Sequence, residues 1–218
     1  MSRKPVPTLG AAVAALVFAG IGAAQAQEYD LPTAKPAGCP QRGILTQGTS
    51  GNDTKNGAGV SDVMIGGAGH DTLNGRGGAD CLYGNAGSDR LYGGADRDAI
   101  FGGTGKDTGS GGSGNDTISG DADNDRLTGG PGNDSISGGT GTDLVSGDNG
   151  NDRLQGGPGN DKISAGYGRD TVSGSSGDDT IYAVDRATDT INCGSGVDRV
   201  RADRSDAVAP NCENVTRK

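Results

Sequence analysis

The chain has 218 residues, 44 of them Gly, with 3% aromatic residues, no Trp and a formal net charge of −9. So acidic a balance argues against nucleic acid or an anionic membrane as partner. So few large side chains argue against a conventional globular core, and without a repeat this composition would describe a disordered linker.

In chain order, residues 1–26 read as a secretory signal peptide. Basic Arg3 and Lys4 precede an apolar run from Leu9 through Ala24 and the small-residue site Ala24-Gln25-Ala26. Cleavage after Ala26 is expected, with export to the extracellular space; losing Arg3 and Lys4 takes the net charge from −9 to −11. No membrane insertion is expected after cleavage, because no other segment is long and apolar enough to span a bilayer. Residues 27–47, which contain Cys39, read as an N-terminal lead-in and cap.

Residues 48–182 are an array of fifteen nonapeptides keyed to one carboxylate each: Asp53, Asp62, Asp71, Asp80, Asp89, Asp98, Asp107, Asp116, Asp125, Asp134, Asp143, Asp152, Asp161, Asp170 and Asp179. A fixed short period means one small unit repeated. The first position of the unit is Gly except at Ala165, and the fourth is Gly except at Val60, Asp96 and Asp123. The eighth is apolar except at Lys55 and Gly109. Each unit therefore divides into a Gly-rich six-residue turn and a three-residue strand with its middle side chain inward. Two units make a coil of eighteen residues, and seven and a half coils would form a rod of about 36 Å.

On this geometry alternate aspartates stack along one edge about 4.8 Å apart. They then repel by roughly 0.9 kcal/mol per neighbour even in water. One Leu or Ile per unit returns about 1.5–3 kcal/mol, less than the backbone entropy of nine residues at roughly 1–2 kcal/mol apiece. A hard divalent cation reverses the sign of the repulsion, and calcium accepts carboxylate and carbonyl oxygens in flexible six- to eight-fold geometry. All fifteen aspartates are accordingly candidate metal ligands. Ions lying between alternate units would number at most thirteen, two fewer than the units, with weaker sites at the first two units and at Gly109.

Units such as GGAGHDTLN at 66–74 and GGPGNDSIS at 129–137 resemble the haemolysin-type, or RTX, calcium-binding repeat. The resemblance implies an all-β, right-handed parallel β-roll with calcium held between turns on the same edge. The general export route is expected, since the terminal Asn-Val-Thr-Arg-Lys does not resemble the C-terminal signal used by many members of that family.

After Tyr182 the register slips by one residue in AVDRATDTIN, and CGSGVDRVR at 193–201 resumes the phase with Asp198 and Val200. Residues 183–218 thus read as degenerate coils, the last carrying Asp206 and Val208, and a C-terminal cap. Cys193 and Cys212 lie nineteen residues apart, about one coil, and stacked positions fall within disulfide reach. A Cys193–Cys212 staple is expected. Cys39 and Cys81 are left over, and a bridge between them is compatible with the outward strand position of Cys81 but not required by spacing.

His70, the one histidine, falls at the variable fifth position of its turn and reads as a surface residue. Gly109, Gly111 and Gly114 spell a dinucleotide-like motif with no strand-to-helix context. Tyr83 and Tyr92 share an outward position. The reading is a secreted, non-catalytic calcium-binding protein acting as a structural or adhesive module. The alternatives are surface recognition, such as an adhesin or ice binder, and an accessory part of a secreted enzyme or toxin. Nothing outside the array is long enough for a catalytic domain, and ice binding lacks the flat Thr row it would need at the third position.

Overall fold

The computed structural model describes Cys39 and residues 44–218. The signal peptide at 1–26 and most of the lead-in lie outside the described residues. Among the described residues there is no helix; twenty strands alternate between two parallel sheets of ten. Odd-numbered strands, counted from Ile44–Gln47 to Ala207–Val208, form the first sheet; even-numbered ones, from Thr54–Asn56 to Asn214–Arg217, form the second. The register advances by eighteen residues per coil, as in Val63↔Cys81 and Leu73↔Leu91.

The architecture is a parallel β-solenoid of ten coils, about 43 Å along its axis at ordinary strand spacing. The solenoid is longer than the fifteen units and seven and a half coils of the array, by a strand at the N-terminal end and by the coils read as degenerate at 183–218. One strand, Ile44–Gln47, precedes the array, and four follow it, beginning with Thr190–Ser195. The inserted residue after Tyr182 is absorbed in the turn, so that Thr171 pairs with Thr190 rather than Asp189, and parallel pairing continues.

The core is the eighth-position column. Met64, Leu73, Leu82, Leu91 and Ile100 through Ile191 and Val200 are buried side by side between the sheets. Gly109 leaves no hole: an added Cβ there would meet Leu127 Cδ2 at 3.1 Å and Ile118 Cγ2 at 3.3 Å, because its neighbours lean in. Lys55 takes the same column in the edge strand of the second sheet and pairs with Asp53 at 3.6 Å. A charge placed there blocks further stacking, as exposed sheet edges require.

Both disulfides form. Cys193–Cys212, Cα–Cα 5.2 Å, closes the C-terminal end of the core. Cys39–Cys81, Cα–Cα 5.5 Å, lies outside the first sheet in a separate cluster with Val63, Ala99 and the stacked rings of Tyr83 and Phe101.

Candidate metal centre

From the turn at Gly66 through the turn at Gly174, each crosses from one sheet to the other with two left-handed residues, at its second and fourth positions. Gly67 and Gly69 have φ of 116° and 114°. Asp96 and Asp123 stand at the fourth position with φ of 73° and 77°, the conformation that Asp tolerates best among charged residues. Each also accepts a hydrogen bond from the preceding coil, Gly78 N–H to Asp96 Oδ2 at 3.2 Å and Gly105 N–H to Asp123 Oδ2 at 3.1 Å.

The turns align the sixth-position aspartates into two ladders. The Asp98 amide donates to Asp116 Oδ1, the Asp116 amide to Asp134 Oδ1, and the Asp134 amide to Asp152 Oδ1, each at 2.8 Å. The other edge repeats this from Asp53 through Asp71, Asp89, Asp107, Asp125, Asp143 and Asp161 to Asp179. Each aspartate carbonyl also accepts from the next coil, as Asp116 does from the Ser135 amide at 2.8 Å. Asp62 and every sixth-position aspartate from Asp71 through Asp179 are buried.

The second carboxylate oxygen has no partner. Oδ2 is buried and unbonded in Asp71, Asp80, Asp89, Asp98 and every later member through Asp179, and also in Asp189 and Asp198. Where it points is shown by the first-position glycines. A Cβ on Gly66 would lie 2.5 Å from Asp71 Oδ2 and 2.8 Å from the Gly84 carbonyl oxygen of the next coil. A Cβ on Gly75 would meet Asp80 Oδ2 and, at 2.6 Å, the Gly93 carbonyl oxygen. Glycine is needed there because a carboxylate oxygen and a carbonyl oxygen, both acceptors, crowd the same point.

Burial of such oxygens disfavours their charge. Desolvation pushes Asp98 up to about 8 from 3.8; the Asp80 amide opposes the shift, and the Asp80, Asp116 and Asp96 carboxylates add to it. Desolvation likewise takes Asp80, Asp125, Asp134 and Asp161 to about 7, and Asp107, Asp152, Asp179 and Asp189 to about 6. At an effective dielectric of about 20, neighbours 4.8 Å apart repel by roughly 3.5 kcal/mol. The donor set is thus anionic, oxygen-only and under strong mutual repulsion.

These residues fit calcium. Among the described residues no three carboxylate, imidazole or thiol side chains converge on one point. A ligand shell at these turns must therefore draw on main-chain carbonyls beside one or two carboxylates, as calcium's large and flexible shell permits.

Three features of the ladder differ from the sequence expectation. Asp53, the first candidate, stands apart: its Oδ2 accepts from Thr49 N–H at 2.6 Å and Thr49 Oγ1 at 2.8 Å, while Lys55 faces Oδ1. Those two Thr49 bonds hold its carboxyl below the ordinary value. Asp62, at the end of the other ladder, gives Oδ2 to the Ala58 amide and leaves Oδ1 unbonded. Beyond Asp179 the ladders continue through Asp189, Asp198 and Asp206, and Glu213 Oε2 accepts from the Asp198 amide at 2.9 Å in place of a further aspartate. The signal for Asp189 was Asp-Thr-Ile-Asn at 189–192, the repeat's own tetrad displaced by one residue.

The fifth position is not idle either. His70 donates its amide to Asn52 Oδ1, and its Nδ1 accepts from the Ser88 amide, both at 2.8 Å. Asn115, Asn133 and Asn151 form the same outer chain on the opposite edge.

The family model described as RTX calcium-binding nonapeptide repeat (four copies) matches residues 47–82, 56–90, 77–109, 110–145 and 146–181. No curated protein matches the chain. The matched segments run almost unbroken from the first turn to the strand ending at Ala183, so they cover more than half of the chain and the whole of the carboxylate ladder first read from sequence. The chain belongs to the RTX calcium-binding nonapeptide repeat family and is a calcium-binding repeat protein.

Proposed function

We propose that this is a secreted, non-catalytic protein whose right-handed β-roll forms on binding calcium and serves outside the cell as a structural or adhesive module. The observation that carries the reading is the row of buried Oδ2 atoms without partners, which at Gly66, Gly75, Gly84, Gly93 and Gly102 share their cradle with a carbonyl of the adjacent coil. Unpaired buried charge of this kind is costly. A divalent cation at each cradle removes both the repulsion and the desolvation cost. The ligands on this reading are Asp62 and the aspartates from Asp71 through Asp179, with Asp189 and Asp198 added. Asp53 serves instead as a pinned first turn.

The signal-peptide-like composition of residues 1–26 supports the same reading. Extracellular calcium is commonly millimolar, and extracellular modules bind at roughly 10⁻⁴–10⁻³ M. The chain would stay open where calcium is scarce and fold where it is plentiful. A non-catalytic role is supported by the single imidazole, His70, whose Nδ1 is already engaged by the Ser88 amide.

Calorimetric titration with calcium tests the proposal, with Asp116→Ala and Asp134→Ala as comparisons. The wild type is expected to bind several ions cooperatively in the range of 10⁻⁴–10⁻³ M that roughly suits extracellular modules. Each variant should lose heat and affinity. Wild-type binding retained undiminished in both variants would remove the turns as ligands.

A further inference from the structure

We propose that the outer face of the second sheet is a binding trough for an extended acidic polysaccharide, with one carboxylate per disaccharide. The proposal rests on the folded roll and adds a partner to its adhesive reading.

The chain is acidic, yet one face of it is not. Arg90, Arg126, Lys162 and Arg199 occupy the seventh position of alternate coils in one column of the second sheet. Thr108, Leu144 and Thr180 stand between them. The cations therefore recur every two strands, about 9.6 Å apart. All four are exposed. Among the described residues the one ion pair is Lys55 with Asp53, so none of these four has a carboxylate partner there. The corresponding column of the first sheet carries Arg153 alone.

Two residues further along each strand lies a parallel column of a different kind. It runs from Asn56 and Asn74 to Tyr92, through the hydroxyls of Ser110, Thr128, Ser146 and Ser164 to Tyr182, and on to Arg201 and Thr216. Of these hydroxyls, Ser146 already donates to Asp148 Oδ1 at 2.6 Å, on the flanking turn. Tyr182 is fixed from both sides, with Lys162 Nζ 5.5 Å and Arg201 Cζ 5.9 Å from its ring centroid. Two adjoining depressions of about 380 Å³ each, sharing Ser164 and Tyr182, follow this column along the C-terminal half of the sheet.

The chemistry selects the occupant. A line of cations at two-strand spacing matches one negative charge per disaccharide of a stretched β-linked chain. A hydroxyl floor suits sugar hydroxyls, and the exposed Tyr92 ring at one end can stack on a pyranose face. A membrane surface would call for a continuous apolar patch, and the exposed apolar side chains here are split between Tyr92 at one end and Tyr167 and Val184 at the other. A single-stranded nucleic acid would call for an aromatic platform under successive bases, and here the rings are five strands apart.

Hyaluronate oligosaccharides provide the probe, since they carry one carboxylate per disaccharide. Binding to the calcium-loaded chain is measured by calorimetry at low and high sodium chloride, with circular dichroism confirming the fold. The wild type is expected to bind, and to weaken as salt screens the exposed charges. Arg126→Gln, Lys162→Gln and Arg199→Gln together should weaken binding roughly thirtyfold, taking about threefold for each exposed contact. Arg153→Gln, on the opposite sheet, should leave it unchanged. A folded wild type that does not bind, or whose affinity ignores salt, overturns the trough while leaving the calcium reading intact. Equal affinity for oligothymidylate overturns the polysaccharide as partner. Absence of β signal in millimolar calcium overturns both.

Discussion

The amide of Asp116 donates to Oδ1 of Asp134 at 2.8 Å, eighteen residues on, and Oδ2 of Asp134 is buried with no partner at all. One oxygen of the carboxylate thus holds the coils together, while the other is the one proposed above to receive a cation. The two roles separate by substitution. Asp134→Asn keeps an acceptor for the Asp116 amide and removes the charge. It should raise the calcium concentration needed to fold, yet make the calcium-free roll more stable than wild type. Asp134→Ala leaves the Asp116 amide unpaired and should cost about 1–3 kcal/mol in either condition. Urea unfolding of both variants in calcium, and the residual β signal of each in chelator by circular dichroism, distinguish these outcomes.

Acidity should act on the calcium-free chain in the direction opposite to ordinary acid denaturation. Asp80, Asp98, Asp125, Asp134 and Asp161 sit at about 7 to 8 in the folded roll against 3.8 for a free carboxyl. Between those values the folded chain holds protons that the unfolded chain has released, so its stability falls as pH rises. The contribution is complete below about pH 4, declines as pH rises, and is fully lost above about pH 7 to 8. After exhaustive dialysis, the β signal should therefore grow on acidification from about pH 8 to about pH 5. With calcium present the order reverses, because protons compete with the ion for the same oxygens.

The cradle at Gly66 admits no methyl group. With Asp71 Oδ2 at 2.5 Å and the Gly84 carbonyl at 2.8 Å from the added carbon, Gly66→Ala should cost about 1–3 kcal/mol in calcium, as overpacking does elsewhere. The chain carries its own comparison. Ala165 stands where other turns have Gly, and its strand, Lys162–Ser164, spans three residues where neighbouring strands such as Leu144–Asn149 span six. Ala165→Gly should raise calcium-bound stability, and a lowered urea midpoint would contradict the steric account.

Much of this molecule was legible because its physics is periodic. Asp at every ninth residue, Gly five before it and an aliphatic two after it gave the turn, the ladder and the core column together. Breaks in period hid the rest. Ile44–Gln47 carries neither Asp nor Gly, and Asp189 follows an inserted residue. Asp53 has the correct phase, yet its carboxylate turns back to Thr49. The cation column at Arg90, Arg126 and Lys162 repeats every thirty-six residues, and shows only once two units close into a coil and alternate coils are compared. The coil-to-coil bond from Asp amide to Asp carboxylate is a matter of three-dimensional stacking, invisible in spacing alone.

The C-terminal disulfide should act locally. Cys193–Cys212 closes a separation of nineteen residues, for which chain entropy gives about 3 kcal/mol. In a solenoid each coil contacts its neighbours only, so the loss falls on the end. Paired Cys193→Ser and Cys212→Ser substitutions should speed amide exchange at Asp189 and Asp198 and leave Asp107 and Asp116 protected. Uniform acceleration along the chain would count against a local staple.

The central claim is that a cation, rather than the thin aliphatic core, makes the roll. Small-angle scattering of the purified chain measures this directly, in EGTA and again in millimolar calcium. The account predicts a radius of gyration near 50 Å in chelator, falling to about 17 Å with calcium. A compact particle of the same radius in both solutions would contradict it.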